Sequence, residues 1–297
     1  MGIFQGTTMY VPWLRKITAK MLFSRLPIPY HVWKRPGVFS PGLMVDAAYA
    51  YAVFKLHFES APFVRRTGFT HIELGPGNSL ASALVGHAFY ADQAYLIDVN
   101  DFVRKDLVTY VHLATFLRQK GLPSLKPDQI ISIEGLLAMC HAHYATTGLK
   151  KLRTVPDASV DFIWSHSVLQ HVKREEFYET LVELRRIIRE DGACSHVVDL
   201  SDMLEGGLNH LRYPDAIWES RLMRNSGFYT NRLRHGEIVA LCRDAGFNVT
   251  TVAVDRWNQL PTPQRKLASR FQTMPLEELL IRGGHIVLTP ITKPMPM

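Results

Sequence analysis

The most constraining feature of the sequence is an apolar strand that runs straight into a glycine turn. Phe69–Leu74 is the apolar run, Gly75-Pro76-Gly77 follows, and Asn78-Ser79 opens a helix-like stretch that reaches Phe89. A short apolar run bounded by glycine reads as a buried strand. The glycines allow a tight turn and close approach of a ligand, and the helix start behind them offers unpaired N–H groups. Asn78 or Ser79 can cap that helix. Tyr95–Val99 reads as a second strand, and its Asp98 lies 23 residues beyond Gly75. An acid at that distance can accept both hydroxyls of a ribose.

The alternation continues along the chain. Helices are predicted over Phe102–Lys120 and about 127–139, then a weak strand at Ala142–Ala145 and a clear one at Val160–Trp164. A helix over Glu175–Glu190, stopped at Asp191-Gly192, leads to a strand at Ala193–Leu200. After a long segment, Ser201–Thr230, come a helix at Arg234–Ala245 and strands at Val249–Val254 and His285–Leu288. No crossover helix is evident in Asp255–Met274, so the last two strands are expected to pair antiparallel. The pattern predicts an α/β chain: a Rossmann-like, doubly wound, mostly parallel seven-stranded sheet with an antiparallel last strand. An N-terminal helical cap is expected over 1–60 and the main domain over 61–297, with insertions at about 101–140 and 201–232.

Composition narrows the class. Of 297 residues, 47% are apolar and 21% charged, which excludes disorder as the main state. No apolar run approaches a membrane span; Leu43–Phe58, the most apolar early stretch, contains Asp46, Lys55 and His57. Cys140, Cys194 and Cys242 have neither disulfide nor zinc spacing, which points to a reducing, cytoplasmic compartment. The net charge is +7, with six basic residues and no acid before Asp46, so the remainder stands at +1 (28 basic against 27 acidic). That balance argues against a nucleic-acid partner. The basic stretch Val11–Leu26 carries Leu14, Ile17, Met21 and Leu22 near helical spacing. It reads as a cap helix, ahead of a membrane-surface helix or a targeting peptide.

Two nucleoside cofactor classes fit the turn. A nicotinamide site wants a third glycine where Leu80 stands, and Glu73 would set a negative charge against its diphosphate. A cationic cofactor removes that conflict. Glu73-Leu-Gly75-Pro-Gly77, followed by Asp98, resembles motif I of class I S-adenosylmethionine-dependent methyltransferases. Asp157-Ala-Ser-Val-Asp-Phe-Ile-Trp-Ser-His-Ser-Val-Leu-Gln-His-Val resembles the fourth-strand region of that family. Glu175–Gly192 is similar to the helix and glycine turn that follow, with Glu190-Asp191-Gly192 in place of Pro-Gly-Gly. The resemblance covers about 70–290, and Leu208–Gly246 resembles uncharacterised bacterial small-molecule members.

The resemblance implies S-adenosyl-L-methionine as cofactor. Glu73, Gly75, Pro76, Gly77, Asn78 and Ser79 would line its methionine end and Asp98 its ribose. Val99 would flank the adenine, Thr147, Gly148 and Leu149 would face its edge, and Ser165 and His166 would contact the methionine tail. Glu134 is a rival acid for the third strand. No metal is expected. The expected reaction is methyl transfer to a small-molecule or glycan-like acceptor, at oxygen. A hydroxyl nucleophile benefits from a general base. His171 is the first candidate, ahead of His166, Asp199 and His210, although it can equally hold its loop by hydrogen bonds. His196 reads as a core or wall residue. Arg212, Tyr213, Trp218, Arg221, Arg224, Tyr229 and Arg232 either cover the acceptor, as a site for an acidic or sugar-like group, or form a homodimer interface or solvated helix faces. RNA or protein methylation and a non-catalytic cofactor-binding role are the rival functions.

Overall fold

The computed structural model describes residues 43–203 and 206–291. The expected basic helix at Val11–Leu26 lies outside them. The second helix is α1, Ala47–Ser60, with Asp46 accepting the Tyr49 N–H at its start. Ala50, Val53, Phe54 and His57 recur at helical spacing and form its buried face.

The strands are β1 (Phe69–Leu74), β2 (Ala91–Ile97), β3 (Ala142–Ala145), β4 (Val160–His166), β5 (Ile188–Asp199), β6 (Phe247–Arg256) and β7 (Ile281–Pro290). They form one seven-stranded sheet in the order β3-β2-β1-β4-β5-β7-β6. β1 to β5 run parallel, and β7 lies antiparallel between β5 and β6. This is the Rossmann-like sheet with its reversed last strand. The order turns at β1 and β4, where an open α/β sheet leaves a crevice beyond its strand ends.

Helices cover both faces. On one side lie α1, α2 (Ala81–Ala88), α3 (Leu107–Gln119) and α4 (Ile133–Met139). Their shared core includes Phe54, Phe69, Leu84, Leu113, Phe162 and Trp164. On the other lie α5 (Arg174–Ile187) and α6 (His235–Asp244), over a core with Ile72, Ile163, Leu181, Ile238 and Phe247. Gly246 follows α6 at φ +93°, the backbone shape that ends a helix at glycine.

Several boundaries depart from expectation: β2 begins at Ala91 and ends at Ile97, just before Asp98, the helix expected from Phe102 begins at Leu107, and β7 is longer at both ends. The helix from Glu175 ends at Ile187, and Ile188–Gly192 already belongs to β5. Ile188 pairs with Val160, and the register then slips before Phe162 meets Ala193. The acidic turn therefore sits in an irregular strand start. Residues 101–140 hold α3 and α4. The segment from Ser201 to Thr230 holds a 3-10 turn at Asn209–Arg212 and single helical turns at Asp215–Trp218 and Arg221–Arg224. Among the described residues no helix is long and apolar enough to cross a membrane.

Candidate active site

The crevice is built where β1 and β2 end. Gly75 and Gly77 both take positive φ, +67° and +63°. The Gly75 N–H donates to the Ile97 carbonyl at 2.8 Å, and the Gly77 N–H donates to Asp98 Oδ2 at 3.0 Å. The turn is thus pinned to the neighbouring strand end. A Cβ on Gly75 would come within 2.6 Å of Val168 Cγ2, whereas one on Gly77 would meet little. Gly75 is required for space and backbone shape, and Gly77 for backbone shape alone.

Two buried acids face this turn. Glu73 is 3% exposed and accepts the Ser82 hydroxyl of α2. Burial pushes its carboxyl up to about 8; the Ser82 bond opposes that rise and nearby Asp98 adds to it. Asp98 takes the Val99 N–H at Oδ1 (2.7 Å) and the Gly77 N–H at Oδ2. Burial raises its pKa too, against the N–H bonds from Val99, Gly77 and Asn100. With three N–H donors on about four lone-pair sites, the carboxylate keeps acceptor capacity for a further hydroxyl.

The residues expected beside an adenine gather at the same end. Gly148 donates its N–H to the Asp98 carbonyl at 2.8 Å, which draws Thr147–Leu149 beside Val99. Val99 is 67% exposed, an apolar side chain left open at a strand end. The rival acid Glu134 sits instead in the first turn of α4, off the sheet. Pro76 is buried. Ser79 Oγ accepts the Ala81 N–H at 3.2 Å, so its side chain helps start α2. The Asn78 carbonyl accepts the Arg104 N–H at 3.0 Å.

The end of β4 divides its polar side chains between the two faces. Ser165 is fully buried and bonds His196 Nδ1 at 2.8 Å, so its side chain is spent inside the core. His166, half-buried, meets His57 of α1: His166 Nδ1 lies 3.1 Å from His57 Nε2. His57 Nδ1 lies 2.8 Å from Ser195 Oγ, which is also 2.8 Å from His285 Nε2. Sequence reasoning passed over His57, Ser195 and His285, because their meeting depends on α1 docking across β4, β5 and β7. His171 follows in a 3-10 turn, its Nδ1 2.9 Å from the Tyr229 carbonyl. That N–H must donate, which leaves Nε2 as an acceptor.

The segment after β5 is more self-contained than expected. Trp218 is buried and donates Nε1–H to the Thr230 carbonyl at 2.8 Å. Arg232 is buried against Trp218 and pairs with Asp215, while Arg224 pairs with Glu175. These two arginines are taken up by internal partners. Asn231 closes the segment onto the His171 loop, donating Nδ2–H to the Leu169 and Val172 carbonyls at 2.8 and 3.0 Å.

Residues 131–195, from the start of α4 to the middle of β5, match the family model described as a methyltransferase domain. The matched span is less than a quarter of the chain. The glycine turn and Asp98 lie outside the matched span and occupy the switch point of the sheet. No curated protein sequence matches the chain. Solved structures similar to this chain include the YcgJ protein from Bacillus subtilis, at 13% identity and TM-score 0.45 over 83% of this chain and 100% of that one. An S-adenosylmethionine-dependent methyltransferase from Mesorhizobium loti has 14% identity and TM-score 0.43 over 83% and 99%. An arsenic(III) S-adenosylmethionine methyltransferase from Chlamydomonas reinhardtii has 13% identity and TM-score 0.46 over 84% and 75%. Likeness at this level assigns no acceptor.

Proposed function

We propose that the chain transfers a methyl group from S-adenosyl-L-methionine to a small hydroxylated or glycan-like acceptor, at oxygen. The observation that carries the reading is the clasp between Gly77 and Asp98, which sets a ribose-binding carboxylate against a turn shaped for close backbone approach. Glu73 explains why the partner is cationic. A buried carboxyl that holds its proton in the free protein gains by ionising against an ammonium group. Asp98 would hold the ribose, Val99 and Thr147–Leu149 the adenine, and Gly75, Gly77 and Glu73 the aminoacyl end. When bound, the cofactor supplies an electrophilic methyl carbon on a positively charged sulfur.

The protein's own part is alignment, exclusion of water and reception of a proton. Two histidines, one ending β4 and one just after it, are placed to receive it. His171 has an acceptor nitrogen fixed by the Tyr229 carbonyl, and His166 has a hydrogen-bonded chain behind it. The near-neutral main domain and the internal pairing of Arg224 and Arg232 favour a small acceptor over RNA. The buried free thiols of Cys140, Cys194 and Cys242 suit a reducing cytoplasm. α1 serves as a cap on this domain.

Calorimetry with S-adenosylmethionine and NAD, on the wild type and Asp98→Ala, tests the reading. Wild-type binding of the sulfonium nucleoside alone, abolished by Asp98→Ala, is the expected result. Binding of NAD, or an Asp98→Ala protein that binds as the wild type does, would refute it.

A further inference from the structure

A buried hydrogen-bonded chain crosses the sheet beneath α1. It runs His166 Nδ1···Nε2 His57 Nδ1···Oγ Ser195 Oγ···Nε2 His285, with steps of 3.1, 2.8 and 2.8 Å. His57 and Ser195 have no solvent exposure. The two outer nitrogens, His166 Nε2 and His285 Nδ1, have no hydrogen-bond partner among the described residues, and neither is a buried unpartnered atom. The chain is closed inside and open at both ends.

Its ends lie in different places. Leu74 pairs with Ser165, so His166 is the strand neighbour of Gly75, about 4.8 Å across the sheet. His285 lies two strands further on, opposite Val197, which itself pairs with His166. There it lines a surface depression of about 320 Å³ together with Asp199, Asp255, Arg282 and Gly283. One end therefore stands beside the glycine turn, and the other opens on the depression, which Val197 between the two histidines also lines.

Proton counting fixes what such a chain can do. Three neutral histidines and one serine carry four mobile protons. Three hydrogen bonds use three of them, so one remains for the two outer nitrogens. The neutral chain always shows a donor at one end and a bare acceptor at the other. A proton added at the bare end allows one to leave from the far end, each link shifting by one place.

We propose that this chain is a proton wire, which takes the acceptor's proton at His166 Nε2 and releases one at His285 Nδ1. It rests on the methyl-transfer reading above and decides between the two histidines of that reading. The acceptor's O–H bond breaks as its electron pair forms the bond to carbon, the carbon–sulfur pair stays on sulfur, and the proton enters His166. One proton leaves His285 for water, so the chain gains none. Return of a proton along the same path, once His166 faces water, resets it. His171 lacks this outlet, because its other nitrogen ends on a carbonyl that cannot pass a proton on. Burial and the neighbouring histidines lower the pKa of His57, and burial lowers those of His166 and His285. A chain that resists charge has reason to move its protons in concert.

The test is proton–nitrogen NMR of the full chain with nitrogen-15-labelled histidine, in wild type, Ser195→Ala and Ser195→Thr. The wire requires His166, His57 and His285 to share one tautomer, all Nδ1–H or all Nε2–H, and to switch together. Ser195→Ala should uncouple His285 from the other two, and Ser195→Thr should restore the coupling. Mixed tautomers in the wild type, or a His285 that ignores Ser195→Ala, would overturn the wire. S-adenosylhomocysteine binding, followed by calorimetry, should be unchanged in Ser195→Ala. Its absence from the wild type would instead remove the methyl-transfer reading and leave the tautomer result standing. With an acceptor found by labelled-methyl screening, Ser195→Ala should lower kcat at least roughly tenfold and Ser195→Thr should recover it; an unchanged kcat in Ser195→Ala also overturns the wire.

Discussion

The N–H of Gly77 points at Asp98 Oδ2 across 3.0 Å, tying the turn after β1 to the carboxylate after β2. Each makes the other useful. The Gly77 N–H holds Asp98 at one angle, and Asp98 in turn anchors the turn at Gly77. Removing the carboxylate therefore costs both a ligand contact and the shape of the cradle. Asp98→Asn keeps the size and loses the charge. Its affinity for S-adenosylhomocysteine should fall by about 10- to 100-fold, the worth of a hydrogen bond to a charged group, as read by calorimetry.

Glu73 sets a pH signature. Its carboxyl titrates near 8 in the folded chain against an ordinary 4.5. Between those values the folded protein holds a proton that the unfolded chain has lost, so stability falls as pH rises from about 4.5 to 8. Glu73→Gln should flatten that slope in denaturant titrations and raise stability near pH 8. The same variant should bind the cationic nucleoside more weakly. Wild-type affinity should climb with pH up to about 8, with a proton released on binding near neutrality. Buffers of different ionisation enthalpy will reveal that proton in calorimetry.

Gly75→Ala adds one methyl group where Val168 stands within 2.6 Å, on a backbone at φ +67°. A cost on the order of 1–3 kcal/mol is expected from the backbone strain alone. Nucleoside binding should fall further than stability, because the displaced Val168 lies on the β4 loop. Gly75→Ala,Val168→Ala relieves the contact and not the strain, and thermal unfolding of the pair separates the two.

Gly86 faces His71 in the same way, since a Cβ there would meet His71 Nε2 at 2.4 Å. His71 is fully buried among Phe54, Phe69 and Phe162, and neither ring nitrogen has a hydrogen-bond partner among the described residues. Burial drives its pKa down to about 3, so it stays neutral. Gly86→Ala should lower stability by about 1–3 kcal/mol through overpacking. Cofactor affinity should be preserved once the protein is folded.

Much of the site could be read in the residues because it is local in sequence. Glu73, Gly75, Gly77 and Asp98 lie within one strand–turn–helix–strand unit, and glycine at positive φ leaves a plain mark. The same holds for the switch at β1 and β4, which follows from the alternation of strands and helices. The expected helix end at Glu190 failed because strand pairing with Val160, a long-range contact, took over at Ile188. Ser165 looked like a site residue from its place at a strand end, but strand alternation turns its hydroxyl to the face that carries His196. The chain from His166 to His285 was hidden for a related reason. Its members lie on four elements, and only the insertion of β7 beside β5 brings Ser195 and His285 together.

A crystal structure with S-adenosylhomocysteine bound tests the central claim most directly. The expected result is a nucleoside laid across Gly75–Gly77, with a ribose hydroxyl on Asp98 and the ammonium group on the Glu73 side. Density away from that crevice, or a ribose that leaves Asp98 bonded only to Gly77 and Val99, would contradict it.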